Sequence, residues 1–254
     1  MTDTHAHVYE PEYDADREDV IERARAAGVK RVYLPNINED SVPRMMALAE
    51  RHPDYCLPMM GLHPEDVKAD WAEVLQRMEP MLDRVVAVGE VGLDYYWDDT
   101  FREEQKEAFR TQAEWALRRD LPLVIHQRKA ENEVFEVLSQ LPKGALRGVF
   151  HCFTGSVETA KRIMNCGDFM LGIGGVLTFR NAKLGEVLRQ AVPLSRVVLE
   201  TDCPYLTPVP HRGERNESSY LVYVRDKLAE VYGVSAEEVE RVTDDNATRL
   251  FGPR

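Results

Sequence analysis

The sequence predicts an α/β fold in which eight parallel strands alternate with helices, and three observations carry that prediction. Short apolar runs alternate with segments whose apolar residues recur at three and four positions, the respective signatures of buried strands and amphipathic helices. The alternation repeats through all 254 residues, a length that suits a closed (β/α)₈ barrel. Residues able to bind metal recur where the apolar runs end, which is the rim on which such a barrel carries its site. An open doubly wound sheet uses the same alternation, so the closed barrel stands as an expectation.

The elements justify this reading in order. Thr2 to His7 reads as an extended opening strand. Asp16 to Ala27 places Val20, Ile21, Ala24 and Ala27 at helical spacing, and Gly28 follows as a stop. Strands read from Arg31 to Pro35 and from Cys56 to Met60, with a helix from Ser41 to Arg51 between them. Trp71, Val74, Leu75, Met78 and Leu82 form a helix stripe, and Val85 to Val88 is a buried strand run. Phe101 to Arg119 is the longest helix, followed by a strand from Leu121 to Ile125 and a helix from Val134 to Leu141. The strands Arg147 to Phe150, Phe169 to Ile173 and Val197 to Leu199 complete the eight. Helices Val157 to Met164 and Leu184 to Ala191 separate them, and helices Tyr220 to Tyr232 and Ala236 to Phe251 close the chain.

Two stretches break the alternation. Gly172, Gly174 and Gly175 form a glycine-rich exit from the seventh strand, read here as a tight turn at the rim because the spacing of a phosphate-binding loop is absent. Cys203 to Ser219 is a long loop rich in proline and charge, and a loop of that length in a compact domain points to function. No repeat, low-complexity segment or linker interrupts the chain, so residues 1–254 read as one domain.

Composition narrows the partners. The chain is 44% hydrophobic and carries 44 acidic against 32 basic residues, a net charge of -12, which opposes general affinity for nucleic acid or an anionic membrane. A polyanionic substrate must then meet a local positive site. No run of eighteen apolar residues and no leader pattern is visible. Cys56, Cys152, Cys166 and Cys203 show no C-x-x-C spacing, which favours a reduced cytoplasmic protein.

His5 and His7 lie one residue apart on an extended segment and project from the same face, so both imidazoles can reach one ion. Glu90, His126 and His151 each follow an apolar strand run, and Asp202 comes just after Val198-Leu199-Glu200. Six such groups exceed the three or four that one catalytic zinc takes, so two divalent ions are expected. In this reading one ion takes His5, His7 and Asp202, the other takes His126 and His151, and Glu90 bridges them. Mixed nitrogen and oxygen donors suit Zn²⁺, Mn²⁺, Fe²⁺ or Co²⁺, with Mg²⁺ less at home on imidazole. Cys203 is not expected to be a ligand, because it points the other way from Asp202 along an extended segment.

These residues fall in an ordered series: Asp3-Thr4-His5-Ala6-His7, Gly61-Leu62-His63-Pro64, Gly89-Glu90-Val91-Gly92-Leu93-Asp94-Tyr95, Pro122-Leu123-Val124-Ile125-His126, His151-Cys152-Phe153-Thr154-Gly155-Ser156, Leu199-Glu200-Thr201-Asp202-Cys203-Pro204-Tyr205, Arg212-Gly213-Glu214-Arg215-Asn216 and Asn246-Ala247-Thr248-Arg249-Leu250-Phe251. The series resembles the TatD family of metal-dependent deoxyribonucleases, within the amidohydrolase superfamily, nearly end to end. The resemblance implies a TIM-type barrel, two divalent metals on His5, His7, Glu90, His126, His151 and Asp202, and hydrolysis of DNA phosphodiesters. It also brings His63 near the substrate phosphate and Glu200 behind the ligands. Glu65 and Asn216-Glu217-Ser218 depart from the family pattern, and both are expected on substrate loops.

The expected activity is therefore a hydrolase acting on ester bonds, a deoxyribonuclease working from DNA ends as an exonuclease. Asp202 takes the proton of the attacking water, with Glu90, Glu200 and His63 as the other catalytic candidates. His63, Arg128 and Arg215 are the candidate phosphate contacts, because arginine and histidine match phosphate oxygens with directed hydrogen bonds, the alternative being that Arg128 or Arg215 pairs with a nearby carboxylate. Phe179, Arg180 and Tyr205 could stack a base at the mouth, although isolated aromatics are more often packing residues. DNA is the expected partner, and no membrane or obligate protein partner is implied. The same metals could instead serve a carboxylic ester or amide, for instance deacylation of an aminoacyl-tRNA. A non-catalytic metal-binding protein is a third reading, against which stands a ligand set that lacks cysteine and exceeds a closed structural site.

Overall fold

The structure is a computed structural model that describes residues 1–252. Among these, eight parallel strands follow one another in chain order: β1 (Thr2–Asp3), β2 (Arg31–Leu34), β3 (Cys56–Pro58), β4 (Val88–Asp94), β5 (Leu123–Arg128), β6 (Arg147–Phe150), β7 (Asp168–Ile173) and β8 (Val197–Leu199). Continuous ladders join β1 to β3 and β4 to β8, and two seams close them into a ring. At one seam Met60 N donates to Ala87 O at 3.1 Å and Gly89 N to Met60 O at 2.9 Å. At the other, Thr4 N donates to Leu199 O at 3.0 Å and His7 N to Cys203 O at 2.8 Å. The closed TIM-type barrel is thus the architecture, not the open sheet, because β8 pairs back onto β1 and leaves no edge.

Nine helices among the described residues surround or cap the ring: α1 (Arg17–Ala26), α2 (Val42–Arg51), α3 (Trp71–Met78), α4 (Arg102–Arg119), α5 (Glu131–Ser139), α6 (Val157–Cys166), α7 (Leu184–Ala191), α8 (Leu221–Tyr232) and α9 (Ala236–Phe251). Local chemistry sets several ends. Ser156 caps α6 by accepting from Thr159 N, and Ser235 caps α9 by accepting from Glu238 N. The helix stripe expected to reach Leu82 stops at Met78, because Pro80 lacks a donor and the chain continues as a 3-10 turn over Glu79–Arg84.

Strand alternation divides the core in two. Leu123 and Ile125 face the helices, whereas Val124 points the other way and groups with Tyr33, Leu57, Val149, Met170 and Val198 in a separate interior cluster. Ala247, Leu250 and Phe251 of α9 join that cluster, and the Phe251 ring lies 4.3 Å from Tyr33. Asn246 Nδ2 donates to Val197 O at 2.8 Å and so fixes α9 at the start of β8. The final helix thereby closes one end of the barrel, and the strand ends form the other. No helix among the described residues is long and apolar enough to cross a membrane.

Two strands differ from their expected bounds in ways that matter for the site. The fourth was expected to end before Glu90, but β4 runs through Glu90 to Asp94. Gly89 and Gly92 look like breakers in sequence; in the barrel they are the only residues that fit, since a Cβ on Gly92 would lie 2.0 Å from His126 O. The fifth strand likewise continues past Ile125 to Arg128, pairing Gly92, Leu93 and Asp94 with His126, Gln127 and Arg128.

Candidate metal centre and active site

The interior face of the barrel delivers the site. Val124 and Val149 fill the lumen, so His126 and His151, two residues further along, emerge on the same face at the open end. Val198 and Glu200 stand in the same relation on the chain leaving β8. Asp3, His5 and His7 follow the same two-residue rhythm beyond β1, and all three are buried.

Asp3 holds that segment in place. Its Oδ2 accepts from Thr201 Oγ1 at 2.7 Å and its Oδ1 from Thr201 N at 3.0 Å. Asp202 N donates to His5 O at 2.9 Å, so the histidine pair and Asp202 are tied across the barrel's seam.

Glu90 occupies the centre and is only 3% exposed. Five imidazole nitrogens face its two oxygens: His126 Nδ1 at 2.8 Å, His151 Nε2 at 3.0 Å, His5 Nε2 at 3.1 Å, His63 Nε2 at 3.5 Å and His7 Nε2 at 3.7 Å. Asp202 Oδ1 lies 3.7 Å from His5 Nε2 and 3.6 Å from His7 Nε2. The His5 and His151 rings stack at 3.8 Å. Three groups of ligand atoms lie within 4.8 Å of one another: His5 with His7 and Glu90, His5 with His151 and Asp202, and His63 with Glu90 and His126.

This donor set fits divalent metal. Five imidazoles converge on one buried carboxylate, more nitrogens than its lone pairs can satisfy, and the donors are the nitrogen and oxygen types that first-row divalent ions prefer. The electrostatics agree. Burial pushes the Glu90 carboxyl up, but His151, His5 and His63 together overrule it and hold it well below the usual carboxylate range. Burial works against protonated His126 too, yet its bonds to Asp94 and Glu90 raise it to about 9. A divalent cation held here would displace protons from the imidazoles it binds.

Behind the cluster stand two carboxylates. Glu200 Oε1 accepts from Cys152 N at 2.6 Å and lies 3.4 Å from His151 Nδ1. Asp94 accepts from His126 Nε2 at 2.8 Å, a contact that its place in the Gly89 to Tyr95 motif does not disclose. Gly172 also departs from expectation. It serves close approach, not turning, since a Cβ there would meet Glu200 Oε2 at 2.1 Å.

The centre forms the wall of a cavity of about 490 Å³, lined by His7, His63, Glu65, Glu90, Trp97, His126, Arg128, His151, Asp202 and Tyr205 among others. Arg128 and His151 also line an adjoining cavity of about 740 Å³. Arg128 has no carboxylate within 4 Å among the described residues; its guanidinium packs 3.8 Å from the Tyr96 ring centroid.

Three expectations are corrected here. Arg215 is not at the cavity: Nη1 and Nη2 grip both oxygens of Asp16 at 2.9 and 2.7 Å, and its guanidinium covers Tyr13. Glu217 and Ser218 are buried rather than on a substrate loop, with Glu217 ion-paired to Arg23 at 2.6 Å. Phe179 is covered by Arg212 at 3.9 Å and, like Arg180, does not line the cavity of the centre. Of the three stacking candidates, Tyr205 alone does.

Comparison with known proteins decides the family. The profile of the family described as TatD related DNase matches residues 2–252. The chain belongs to the TatD family. It is 41% identical over 253 residues to the uncharacterized metal-dependent hydrolase YabD of Bacillus subtilis (strain 168), covering 99% of this chain and 98% of that one. It is 34% identical to the 3'-5' ssDNA/RNA exonuclease TatD of Pectobacterium carotovorum, covering 99% of each chain. Among solved structures, the TatD homolog YJJV of Escherichia coli K12 superposes with a TM-score of 0.90 at 31% identity, covering 99% of this chain and 97% of that one. This TatD protein is a metal-dependent hydrolase acting on ester bonds.

Proposed function

We propose that this TatD protein hydrolyses phosphodiester bonds at the ends of single-stranded DNA, using two divalent ions. The observation that carries this reading is the position of Glu90, faced by imidazoles from across the barrel, at the base of an open cavity where Arg128 offers a cation unpaired with any carboxylate among the described residues. His5, His7 and Asp202 would hold one ion and His126 and His151 the other, with Glu90 within reach of both sets. His63 stands within reach of the second set and lines the cavity, so it serves that ion or the phosphate beside it. When bound, such ions polarise a phosphoryl oxygen and lower the pKa of water toward about 7.

The chain's own residues do the rest. Asp202 lines the cavity, and His7, His151 and His5 hold its carboxyl below the usual range despite a burial that pushes it up. It is thus ionised at neutral pH and takes a proton from the attacking water. As the water oxygen bonds to phosphorus, the bond from phosphorus to the leaving oxygen breaks, and Asp202 returns the proton to that oxygen. Glu200 fixes His151 from behind, and Arg128 binds the phosphate oxygens.

Metal analysis of the purified protein, paired with turnover of 3′-labelled single-stranded and duplex DNA, tests the reading. Two equivalents of metal and stepwise shortening of the single strand are expected, both lost in Glu90→Gln. Intact DNA beside rapid cleavage of aminoacyl esters would overturn it.

A further inference from the structure

One feature of the cavity mouth has no part in the hydrolytic machinery. Immediately after β4 the chain presents Tyr96 and Trp97, which are 49% and 66% exposed, the most exposed large aromatic pair adjoining the centre. Their rings meet edge to face at 4.8 Å. Arg128 packs on both, 3.8 Å from the Tyr96 centroid and 5.2 Å from that of Trp97. The pair is also held to the centre through the chain, since Tyr96 N donates at 2.8 Å to Asp94, the residue that orients His126.

Trp97 and Arg128 line the cavity that contains Glu90, while Tyr96 and Arg128 line the adjoining one. Aromatic surface left exposed beside a site forgoes burial that a ligand lying on the ring would supply. A cation with no carboxylate partner among the described residues, beside two exposed rings, is the combination that meets a nucleic-acid strand, with phosphate on the guanidinium and base on the ring.

We propose that Tyr96 and Trp97, with Arg128 packed on them, form a stacking subsite for an unpaired nucleobase next to the phosphodiester being cut. The base must be unpaired, because a ring can lie flat on Trp97 only when that face is not already stacked in a duplex. The subsite reads the presence of a base rather than its identity, since every base has a π-face. It makes the enzyme selective for single strands without any contact to the sugar. This inference rests on the hydrolytic reading above, and its test keeps the two apart.

The metal-loaded enzyme is given two single-stranded oligonucleotides, one with natural bases and one abasic at its three terminal nucleotides. Turnover is measured directly, and binding is measured with phosphorothioate versions that resist cleavage. Wild type is expected to favour the base-bearing strand by on the order of tenfold in both kcat/KM and Kd. That ratio should collapse toward one in Trp97→Ala and persist in Trp97→Phe. A wild-type ratio of one, or a ratio unchanged in Trp97→Ala, overturns the subsite even if both strands are cleaved. Base-dependent binding that needs Trp97, with neither strand cleaved, supports the subsite and overturns the hydrolytic reading instead. Trp97 is largely exposed, so its truncation removes little of the core.

Discussion

Asp94 accepts a hydrogen bond from His126 Nε2 at 2.8 Å while the opposite nitrogen of that ring faces Glu90 at the same distance. The imidazole is thus strung between two carboxylates, and the outer one decides which nitrogen points inward. Partners of this kind fix ring orientation and raise ligand basicity. Asp94→Asn would turn an amide N–H or a weaker acceptor toward Nε2. We expect a 10–100-fold loss in metal affinity or kcat/KM with the fold retained, read from metal content per chain and from oligonucleotide hydrolysis. Unchanged metal content and turnover would mean that Glu90 alone positions the ring.

Gly172 supports the other outer carboxylate by what it lacks. A Cβ there would sit 2.1 Å from Glu200 Oε2 and 3.1 Å from the His151 backbone, so Gly172→Ala must displace Glu200 from Cys152 N. Overpacking of this type costs about 1–3 kcal/mol, and the displaced carboxylate should lower hydrolysis by on the order of tenfold. Thermal denaturation and kcat/KM should therefore fall together, and a stable, fully active variant would sink the account.

Much of this site was legible before any fold was known, for a simple reason. His126 and His151 each end an apolar run, and the two-residue alternation of a strand places them on the lumen side with Val124 and Val149. Local pattern cannot show what depends on a partner far along the chain. In sequence Arg215 is equally a phosphate contact or half of an ion pair, and only the fold shows that Asp16, 199 residues away, holds it. Glu90 and Asp94 lie within a strand that two glycines disguise, and the exposure of Trp97 depends on which loop borders the cavity. The run Tyr95-Tyr96-Trp97, three aromatics in a segment with no helical or strand period, was the signal that could have found it.

The cysteines offer a test that does not use the hydrolytic activity. All four are free, and burial pushes their thiols up, Cys166 to about 11 and Cys56 and Cys203 to about 12, with Cys152 higher still. A raised thiol pKa means less thiolate at a given pH, and thiolate is the reactive form. At pH 8 a group near 12 carries about 10³-fold less thiolate than one at 8.5. Native protein should therefore react slowly with a disulfide reagent at pH 8, faster as pH rises toward 11, and at the ordinary rate once unfolded. Rapid labelling of any native cysteine at pH 8 would contradict the packing around it.

Arg128 and Arg215 separate cleanly, because both were expected to bind phosphate and the structure brings only one to the cavity. Arg128 has aromatic faces but no carboxylate partner among the described residues, so its charge is available to a substrate oxygen. Removing it should raise KM for an oligonucleotide by about tenfold, with a smaller change in kcat, and reduce the salt dependence of binding by about one phosphate contact. Arg128→Lys should restore only part of this, since an ammonium keeps the charge but loses the planar group that lies on Tyr96. Arg215→Ala breaks a two-pronged pair with Asp16 whose side chains are each 31% exposed. That should cost at most about 1 kcal/mol of stability and leave KM where it was. Kinetics of the two alanine variants at two salt concentrations decide the matter: if Arg215→Ala raised KM as Arg128→Ala does, its pair with Asp16 would have to open to admit substrate.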